Sequence, residues 1–182
     1  MQDFSLWRTF KSGNDGAFSQ LYENYVDLLY RYGTKFIKDK EVVKDCIHDL
    51  FIKLYQDRDK LPNIDNPSLF LFVSLKNLII DKLREETKYT YYVYPEFYID
   101  FYMDQEEDLS IQEERFLEVM NLLSPKQKEA IYLRYYLEMS YNDIAALLEI
   151  NSQSARNLIH RSIEKIRRKM SLTIFLFFYF SL

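Results

Sequence analysis

The sequence is short of the residues that interrupt helices and of those that hold metals. Among 182 residues there are 3 glycines, 4 prolines, 2 histidines and a single cysteine, Cys46. So few glycines and prolines are untypical of a turn-rich β protein and favour long helices. A single cysteine excludes an internal disulfide and is typical of a reducing cytoplasm. With no glycine-rich phosphate loop and no CxxC pair, we expect no enzymatic activity, no cofactor and no metal site.

Targeting signals are also lacking. Residues 1–15, MQDFSLWRTFKSGND, do not have the basic segment followed by an apolar one that marks a signal peptide. The apolar tail LTIFLFFYFSL at 172–182 is about half as long as a helix that spans a bilayer. We therefore expect a cytoplasmic protein without membrane insertion, whose tail packs against the protein itself.

Charge is distributed unevenly along the chain, whose net charge is −4. Residues 1–88 carry 14 basic and 14 acidic side chains, whereas residues 89–121 carry nine acidic side chains and one basic one. Residues 122–182 reverse this, with nine basic and five acidic side chains. A basic C-terminal part in an acidic chain predicts that only this part of the protein meets a polyanion.

Apolar residues at helical spacing predict three helices in the first half of the chain. Residues 18–55 carry two apolar stripes, separated by a turn at KDKE (38–41). LPNIDNPS (61–68) is predicted to be a loop, since prolines and turn-forming polar residues cluster there, and a third helix follows at about 68–86. The residues expected to face inward are Leu21, Tyr25, Leu28, Leu29, Tyr32, Phe36, Val43, Ile47, Leu50, Phe51, Leu54, Leu71, Leu75, Leu78, Ile79 and Leu83.

The second half is predicted to be helical after an irregular segment. Residues 89–111 have no stable period and read as an acidic, aromatic-rich linker, with a β-hairpin or an extension of the first domain as the alternative. Ser124 is the expected N-cap of the next helix, with Pro125 at its first position and Gln127 closing a capping box. Ser140 and Asn151 are predicted to cap the two helices that follow.

These last two helices have the layout of a helix-turn-helix over residues 140–169. On the last helix one face is apolar and consists of Ala155, Ile159, Ile163 and Ile166. The opposite face carries amides and cations suited to base edges and phosphates, namely Gln153, Asn157, His160, Arg161 and Arg168. The alternative is a solvated amphipathic helix, since basic residues near a helix C-terminus also suit its dipole.

Three segments carry a family resemblance. The run from 123 to 170, LSPKQKEAIYLRYYLEMSYNDIAALLEINSQSARNLIHRSIEKIRRKM, closely resembles the C-terminal DNA-binding domain of sigma factors. KEVVKDCIHDLFIKLYQ is similar to the polymerase-binding helix of that family, and FLFVSLKNLIIDKLREE to the helix that opens and reads the downstream promoter element. In this order the segments resemble an extracytoplasmic-function (ECF) type bacterial RNA polymerase sigma factor.

The chain departs from the family pattern at three places. Glu149 stands where a glycine is usual in the turn, and Leu158 where an arginine is usual on the last helix. Glu85 and Glu86 follow Arg84, where family members often have further arginines. The last departure implies weak duplex contact from the first domain.

The resemblance implies a transcription initiation factor that binds core RNA polymerase, directs it to promoters and melts the downstream element. It implies a polymerase-binding surface made of Asp45, His48, Asp49, Phe51 and Tyr55. It implies contacts to the upstream element by Ser140, Tyr141, Gln153, Arg156, Asn157, His160 and Arg161. It implies contacts to the downstream element by Asn63, Asn66, Lys76, Asn77, Lys82 and Arg84. An anti-sigma factor is a further implied partner.

The expected fold is all-α, with two small helical domains. We expect a first domain at 1–88, the linker at 89–111, a helix-turn-helix domain at 112–171 and the tail at 172–182. The main alternative is a two-domain helix-turn-helix regulator with an effector-sensing N-terminal half, which would bind DNA without polymerase. The pair His48–Asp49 also occurs in metal-dependent phosphohydrolases, but a solvated helix face is the favoured interpretation.

Overall fold

In a computed structural model of the protein, residues 2–87, 94–99 and 117–169 are described. The chain divides into two compact units, Met1–Pro95 and Glu96–Leu182. Every regular element within the described ranges is helical, which confirms the all-α prediction. The apolar tail and most of the predicted linker lie outside these ranges, and the domain limits expected from the sequence stay predictions.

The described part of the first unit contains α1 (Gln2–Lys11), α2 (Asp15–Gly33), α3 (Lys40–Gln56) and α4 (Pro67–Thr87). A 3-10 turn, Arg58–Lys60, follows α3. Side-chain oxygens cap the helices, because the first N–H groups of a helix have no partner within it. Asn14 accepts from the Ala17 amide at 2.9 Å, Asp39 from Glu41 at 2.9 Å and Asn66 from Leu69 at 3.0 Å. The three predicted helices are confirmed.

Helix α1 was not predicted from the sequence. It buries two aromatic side chains, Trp7 and Phe10, which lie almost one turn apart, and Trp7 is 0% exposed. It is only ten residues long, a length at which an isolated helix is marginal in water, so its formation depends on packing partners. The packing partners that complete its core face come from α2 and α4.

The core of the first unit lies where the apolar stripes of α2, α3 and α4 meet. All the predicted inward residues are buried or partly buried except Leu28, which is 36% exposed. That prediction was wrong because Leu28 lies one residue, about 100° of helical rotation, from the buried Leu29. Gly33 ends α2 at a close approach to α3, since a Cβ there would lie 2.6 Å from Val43 Cγ1.

Two titratable groups in this core have raised pKa values, which favour their neutral forms. Burial, reinforced by the carboxylate of Asp3, raises the pKa of the Tyr25 hydroxyl, which also hydrogen-bonds to Ser68. Tyr25 therefore connects α1, α2 and the first turn of α4. Burial likewise raises the pKa of the Cys46 thiol, which packs in the core as a small apolar residue.

The described part of the second unit contains helical residues 117–121, α5 (Pro125–Ile131), α6 (Tyr141–Leu147) and α7 (Ser152–Lys169). The predicted capping box is confirmed: Gln127 donates its amide to Ser124 Oγ at 3.3 Å, and Ser124 donates its own to Gln127 Oε1 at 3.0 Å. After α5 the chain continues as a π-helical turn, Tyr132–Tyr136. The core consists of Val119, Met120, Leu123, Ala130, Ile131, Tyr132, Leu133, Ile144, Ala145, Leu147, Leu148, Ala155, Ile159 and Ile166.

Residues 94–99, part of the predicted linker, form neither helix nor strand. In the first unit, Lys76 Nζ donates to the Tyr94 hydroxyl at 3.0 Å and lies 5.0 Å from the centre of that ring. In the second unit, Phe97 is fully buried and its ring centre lies 5.6 Å from that of Tyr132. Both ends of this short segment are thus held by aromatic side chains.

Candidate nucleic-acid and polymerase interfaces

Helices α6 and α7 form the predicted helix-turn-helix. Ser140 caps α6 by accepting from the Asp143 amide at 3.2 Å, and Asn151 caps α7 by accepting from the Ser154 amide at 2.7 Å. Between them, Glu149 adopts a φ of 53°, a left-handed conformation that favours glycine. The turn therefore keeps the usual geometry without the usual residue.

Helix α7 has one buried face and one exposed face. Ala155, Ile159 and Ile166 pack into the core, and Ser162 is buried as well, donating to the Leu158 carbonyl at 2.7 Å. Ile163, predicted to be buried, is partly exposed. The exposed face carries the predicted DNA-contacting residues, Gln153, Arg156, Asn157, His160, Arg161 and Arg168. The first two turns thus present amides and guanidinium groups outward.

Three of these exposed side chains already have a partner on the same helix. Gln153 Nε2 donates to Asn157 Oδ1 at 3.1 Å, and both lie one turn apart on α7. His160 Nδ1 lies 3.8 Å from a carboxylate oxygen of Glu164. The amide pair is oriented by its own hydrogen bond, which lowers the entropy lost when it contacts a base.

Tyr141 lies between two arginines at the start of α6. The Arg134 guanidinium lies 4.8 Å from the Tyr141 ring centre, and the Arg156 guanidinium lies 5.0 Å from it. Arg134 also donates to the Met139 carbonyl at 2.9 Å. A ring face attracts guanidinium groups, so Tyr141 holds two cations beside the exposed face of α7. Arg134 was not among the residues that the sequence predicted to contact DNA.

The predicted polymerase-binding residues lie on α3. Asp45, His48 and Asp49 are exposed, and Asp45 and Asp49 lie one turn apart. Tyr55 is 40% exposed, and its hydroxyl donates to Asp15 at 3.1 Å. Phe51 is only 3% exposed, which agrees with its predicted place on an inward apolar stripe and not with a place on an exposed binding surface.

Phe51 is buried because rings on α2 cover it. Its ring centre lies 4.9 Å from that of Tyr22 and 6.1 Å from that of Phe18. Phe51 therefore belongs to the core beneath the exposed side chains of α3. The exposed part of the candidate interface is polar and acidic.

The predicted downstream-element residues lie on the loop 61–66 and on α4. Asn63 and Asn77 are exposed, and Asn63 Oδ1 accepts from Lys11 Nζ at 2.9 Å. Asn66 is exposed too, but its side chain caps α4. Lys76 differs from the expectation: it is 5% exposed and bonded to Tyr94, so here it is a buried cation and not a surface one.

The cations at the end of α4 are paired with acids of the same helix. Lys82 Nζ lies 3.7 Å from Glu85, and Arg84 lies 3.3 Å from Asp81. Exposed pairs of this kind contribute little stability, about 0.3–0.5 kcal/mol each. They do reduce the net positive charge that this helix presents to DNA.

No helix within the described ranges is long and apolar enough to cross a membrane. In the same ranges, no group of three or more His, Cys, Asp or Glu side chains could hold a metal ion.

Known proteins are similar to both units. The family model described as Sigma-70 region 2 matches residues 21–89, and that described as Sigma-70, region 4 matches residues 113–166. The ECF RNA polymerase sigma factor SigW of Bacillus subtilis (strain 168) is 24% identical over 173 residues, covering 88% of this chain and 92% of that protein.

Two solved structures share the fold. The structure of CnrH in complex with the cytosolic domain of CnrY has a TM-score of 0.63 and 20% identity, covering 90% of this chain and 94% of that one. The sigma factor RpoE in complex with the anti-sigma factor NepR from Bartonella quintana has a TM-score of 0.60 and 19% identity, covering 84% and 95%.

The two regions match in the order in which the sequence motifs occur, and the helix-turn-helix lies within the second of them. The match with SigW of Bacillus subtilis covers 92% of the length of that protein. The chain therefore belongs to the sigma-70 family as a sigma factor of the ECF type, a factor that directs RNA polymerase to promoters.

Proposed function

We propose that this sigma factor uses three separate surfaces: α7 for the upstream promoter element, α3 for core RNA polymerase, and the loop 61–66 with α4 for the downstream element. The single observation that carries the proposal is α7, whose amides and guanidinium groups are exposed while its apolar face is buried. In this role the protein works in the cytoplasm. We assign residues 1–88, 89–111 and 112–171 to the polymerase-binding domain, the linker and the upstream-element domain.

At the upstream element, α7 enters the major groove of duplex DNA. Gln153 and Asn157 contact base edges, and Arg156, His160 and Arg161 contact bases and phosphates. Ser140 and Tyr141 lie at the start of α6 and contact the DNA backbone. The cap at Asn151 and the stacked Arg156 support this assignment, since both hold the first turns of α7 ready for binding.

Core polymerase binds the exposed acidic surface of α3. Asp45 and Asp49 supply negative charge one helical turn apart, His48 lies between them, and Tyr55 extends the surface with a partly exposed ring. Complementary charge speeds association and selects the partner. The partner surface on polymerase is accordingly basic.

The downstream element is melted and held as a single strand. Asn63 and Asn66 on the loop contact an unstacked base, and Asn77, Lys82 and Arg84 follow the strand along α4. The internal pairing of Lys82 and Arg84 makes duplex binding by this helix weak. Strand contact therefore depends on the loop and on melting within the polymerase complex.

An anti-sigma factor holds this protein inactive until a signal releases it. Of the solved structures of similar fold, the sigma factor RpoE is in complex with the anti-sigma factor NepR, and CnrH is in complex with the cytosolic domain of CnrY. The shared fold, with TM-scores of 0.63 and 0.60, supports the same mode of control for this chain.

Run-off transcription tests the proposal most directly. The purified full-length protein is added to core RNA polymerase with a promoter library, and transcripts are sequenced from their start sites. Starts at a common pair of upstream and downstream elements, absent without the protein, are expected. DNA binding by the protein with no polymerase-dependent start would contradict the proposal and favour an effector-sensing regulator.

A further inference from the structure

The N-terminal helix α1 is attached to the loop 61–66 at two neighbouring residues. Trp7 Nε1 donates to the Pro62 carbonyl at 3.2 Å, and Lys11 Nζ donates to Asn63 Oδ1 at 2.9 Å. Trp7 and Lys11 lie one turn apart on α1, so one face of the helix makes both contacts. Nothing in the sequence pattern connected this helix with the loop.

Trp7 fixes the backbone of the loop. The indole is fully buried, and its ring centre lies 5.4 Å from that of Phe70 at the start of α4 and 5.8 Å from that of Phe10. Its N–H can only donate, and the Pro62 carbonyl accepts it. Asp3, on the same helix, hydrogen-bonds to Tyr25, which in turn hydrogen-bonds to Ser68 in the first turn of α4, just after the loop. Helix α1 thus holds the chain on both sides of residues 63–66.

Lys11 determines the orientation of the Asn63 side-chain amide, that is, on which side its oxygen and its NH₂ group lie. An ammonium group has three donors and no acceptor, so the atom of Asn63 that faces it must be the amide oxygen. The amide NH₂ then occupies the other side of the side chain. Asn63 is exposed, and in this orientation it offers donors to a ligand and keeps its acceptor for Lys11.

We propose that Lys11 is a positioning residue that sets base selection at the downstream element by making Asn63 a hydrogen-bond donor. The loop then selects an unstacked base through an acceptor atom of that base, and it does not accept from an exocyclic amino group. This rests on the proposed role of the loop 61–66. Trp7 supports it by holding the adjoining backbone still.

Asn63 variants test the chemistry of the contact. Holoenzyme reconstituted with the full-length chain is bound to fork-junction promoter DNA whose downstream element is single-stranded, with each of the four bases at every position. Asn63→Ala is expected to weaken binding about fivefold for the selected base, the size of one lost hydrogen bond. Asn63→Asp keeps the Lys11 partner but loses the NH₂ donors, so it should weaken binding equally. Binding retained by Asn63→Asp would overturn the donor assignment.

Lys11→Met tests the positioning role. It should reduce the preference for the selected base about fivefold in the wild-type background and leave base preference unchanged in the Asn63→Ala background. Arg8→Met removes a similar charge from the same helix, where Arg8 stacks on Phe4, and should leave base preference unchanged. Equal effects of Lys11→Met with and without Asn63 would overturn the inference. Unchanged binding by Asn63→Ala would instead overturn the proposed role of the loop.

Discussion

Glu149 illustrates how much one backbone conformation matters in this protein. Its φ of 53° is left-handed, and a side chain in that region costs about 1–2 kcal/mol relative to a right-handed conformation. The turn between α6 and α7 nevertheless keeps its shape, because hydrogen bonds from Glu149 to the Ala146 carbonyl and from Ile150 to the Ala145 carbonyl close it. The strain is thus offset by the packing of the two helices.

Replacing this residue with glycine is expected to stabilise the second unit. Glu149→Gly removes the strain, which stabilises the folded state, but it also raises the entropy of the unfolded chain, which offsets part of the gain. The net increase in the free energy of unfolding is expected to be about 0.5–1 kcal/mol. Thermal denaturation followed by circular dichroism measures it. Glu149→Ala is the matched control, since alanine keeps the Cβ and should give no gain. Equal gains from both variants would show that strain is not the cause.

Arg161 is the residue at which DNA binding is tested most simply. It is exposed on α7 and has the charge and reach for a phosphate or a base edge. Arg161→Ala should weaken upstream-element binding about tenfold and reduce the salt slope of binding by about one unit. Fluorescence anisotropy over a range of salt concentrations measures both.

The conservative variant separates the two kinds of contact. If Arg161 contacts a phosphate, Arg161→Lys should recover the salt slope that Arg161→Ala loses. If it contacts a guanine edge, Arg161→Lys should not recover the base preference, because lysine lacks the two-pronged donor geometry of arginine. An alanine variant with unchanged affinity and unchanged slope would remove Arg161 from the interface.

At the scale of the element, the helices are defined by their ends as much as by their apolar faces. α5 begins at a full capping box and α7 at a single asparagine cap. α5 is only seven residues long before the π-helical turn, too short to be stable by itself. Its cap and its packing against α7 together hold it in place.

Ser124→Ala is expected to destabilise the second unit by about 0.5–2 kcal/mol, because the Gln127 amide loses its acceptor at the start of α5. Chemical denaturation measures the change. Ser19→Ala is the control: Ser19 lies inside α2 and its hydroxyl bonds back to the Asp15 carbonyl at 3.3 Å, an interaction of little value to a helix. A loss at Ser124 no larger than that at Ser19 would contradict the role of the cap.

At the scale of the whole molecule, the two units differ in the charges that their helices expose. The first unit presents the carboxylates of Asp45 and Asp49 on α3, while the exposed cations of α4, Lys82 and Arg84, are paired along their own helix. The described second unit presents an exposed basic end on α7, formed by Arg167, Arg168 and Lys169. This difference in exposed charge is the basis of the proposed division between a polymerase-binding surface on α3 and a DNA-binding surface on α7.

Asp49→Lys is expected to weaken binding to core polymerase tenfold or more, since it reverses the charge at the centre of the α3 surface. Affinity is measured with labelled protein and purified core enzyme, and circular dichroism verifies that the helix content is kept. Glu23→Lys makes the same charge change at an exposed position on α2 and should bind normally. Normal affinity of the Asp49 variant would place the docking surface elsewhere.

Much of this architecture is determined by the sequence alone. Helix α2 and its neighbours follow from apolar residues at a 3.6-residue period, and the caps at Ser124, Ser140 and Asn151 follow from the chemistry of side chains that accept from backbone N–H groups. These are local effects, so a single sequence contains them. The helix-turn-helix and its exposed polar face could be predicted for the same reason.

Only the tertiary structure decided the features that depend on distant partners. Lys76 belongs to the set predicted to contact the downstream element, but it is buried and bonded to Tyr94. Phe51 belongs both to an inward apolar stripe and to the predicted polymerase-binding set, and packing against the rings of Phe18 and Tyr22 places it in the core. Helix α1 is only ten residues long, too short to be stable by itself, and it forms because α2 and α4 complete its core. The contact of Lys11 with Asn63 joins residues 52 positions apart. No local pattern encodes such a contact, because it exists only once the helices between them have packed.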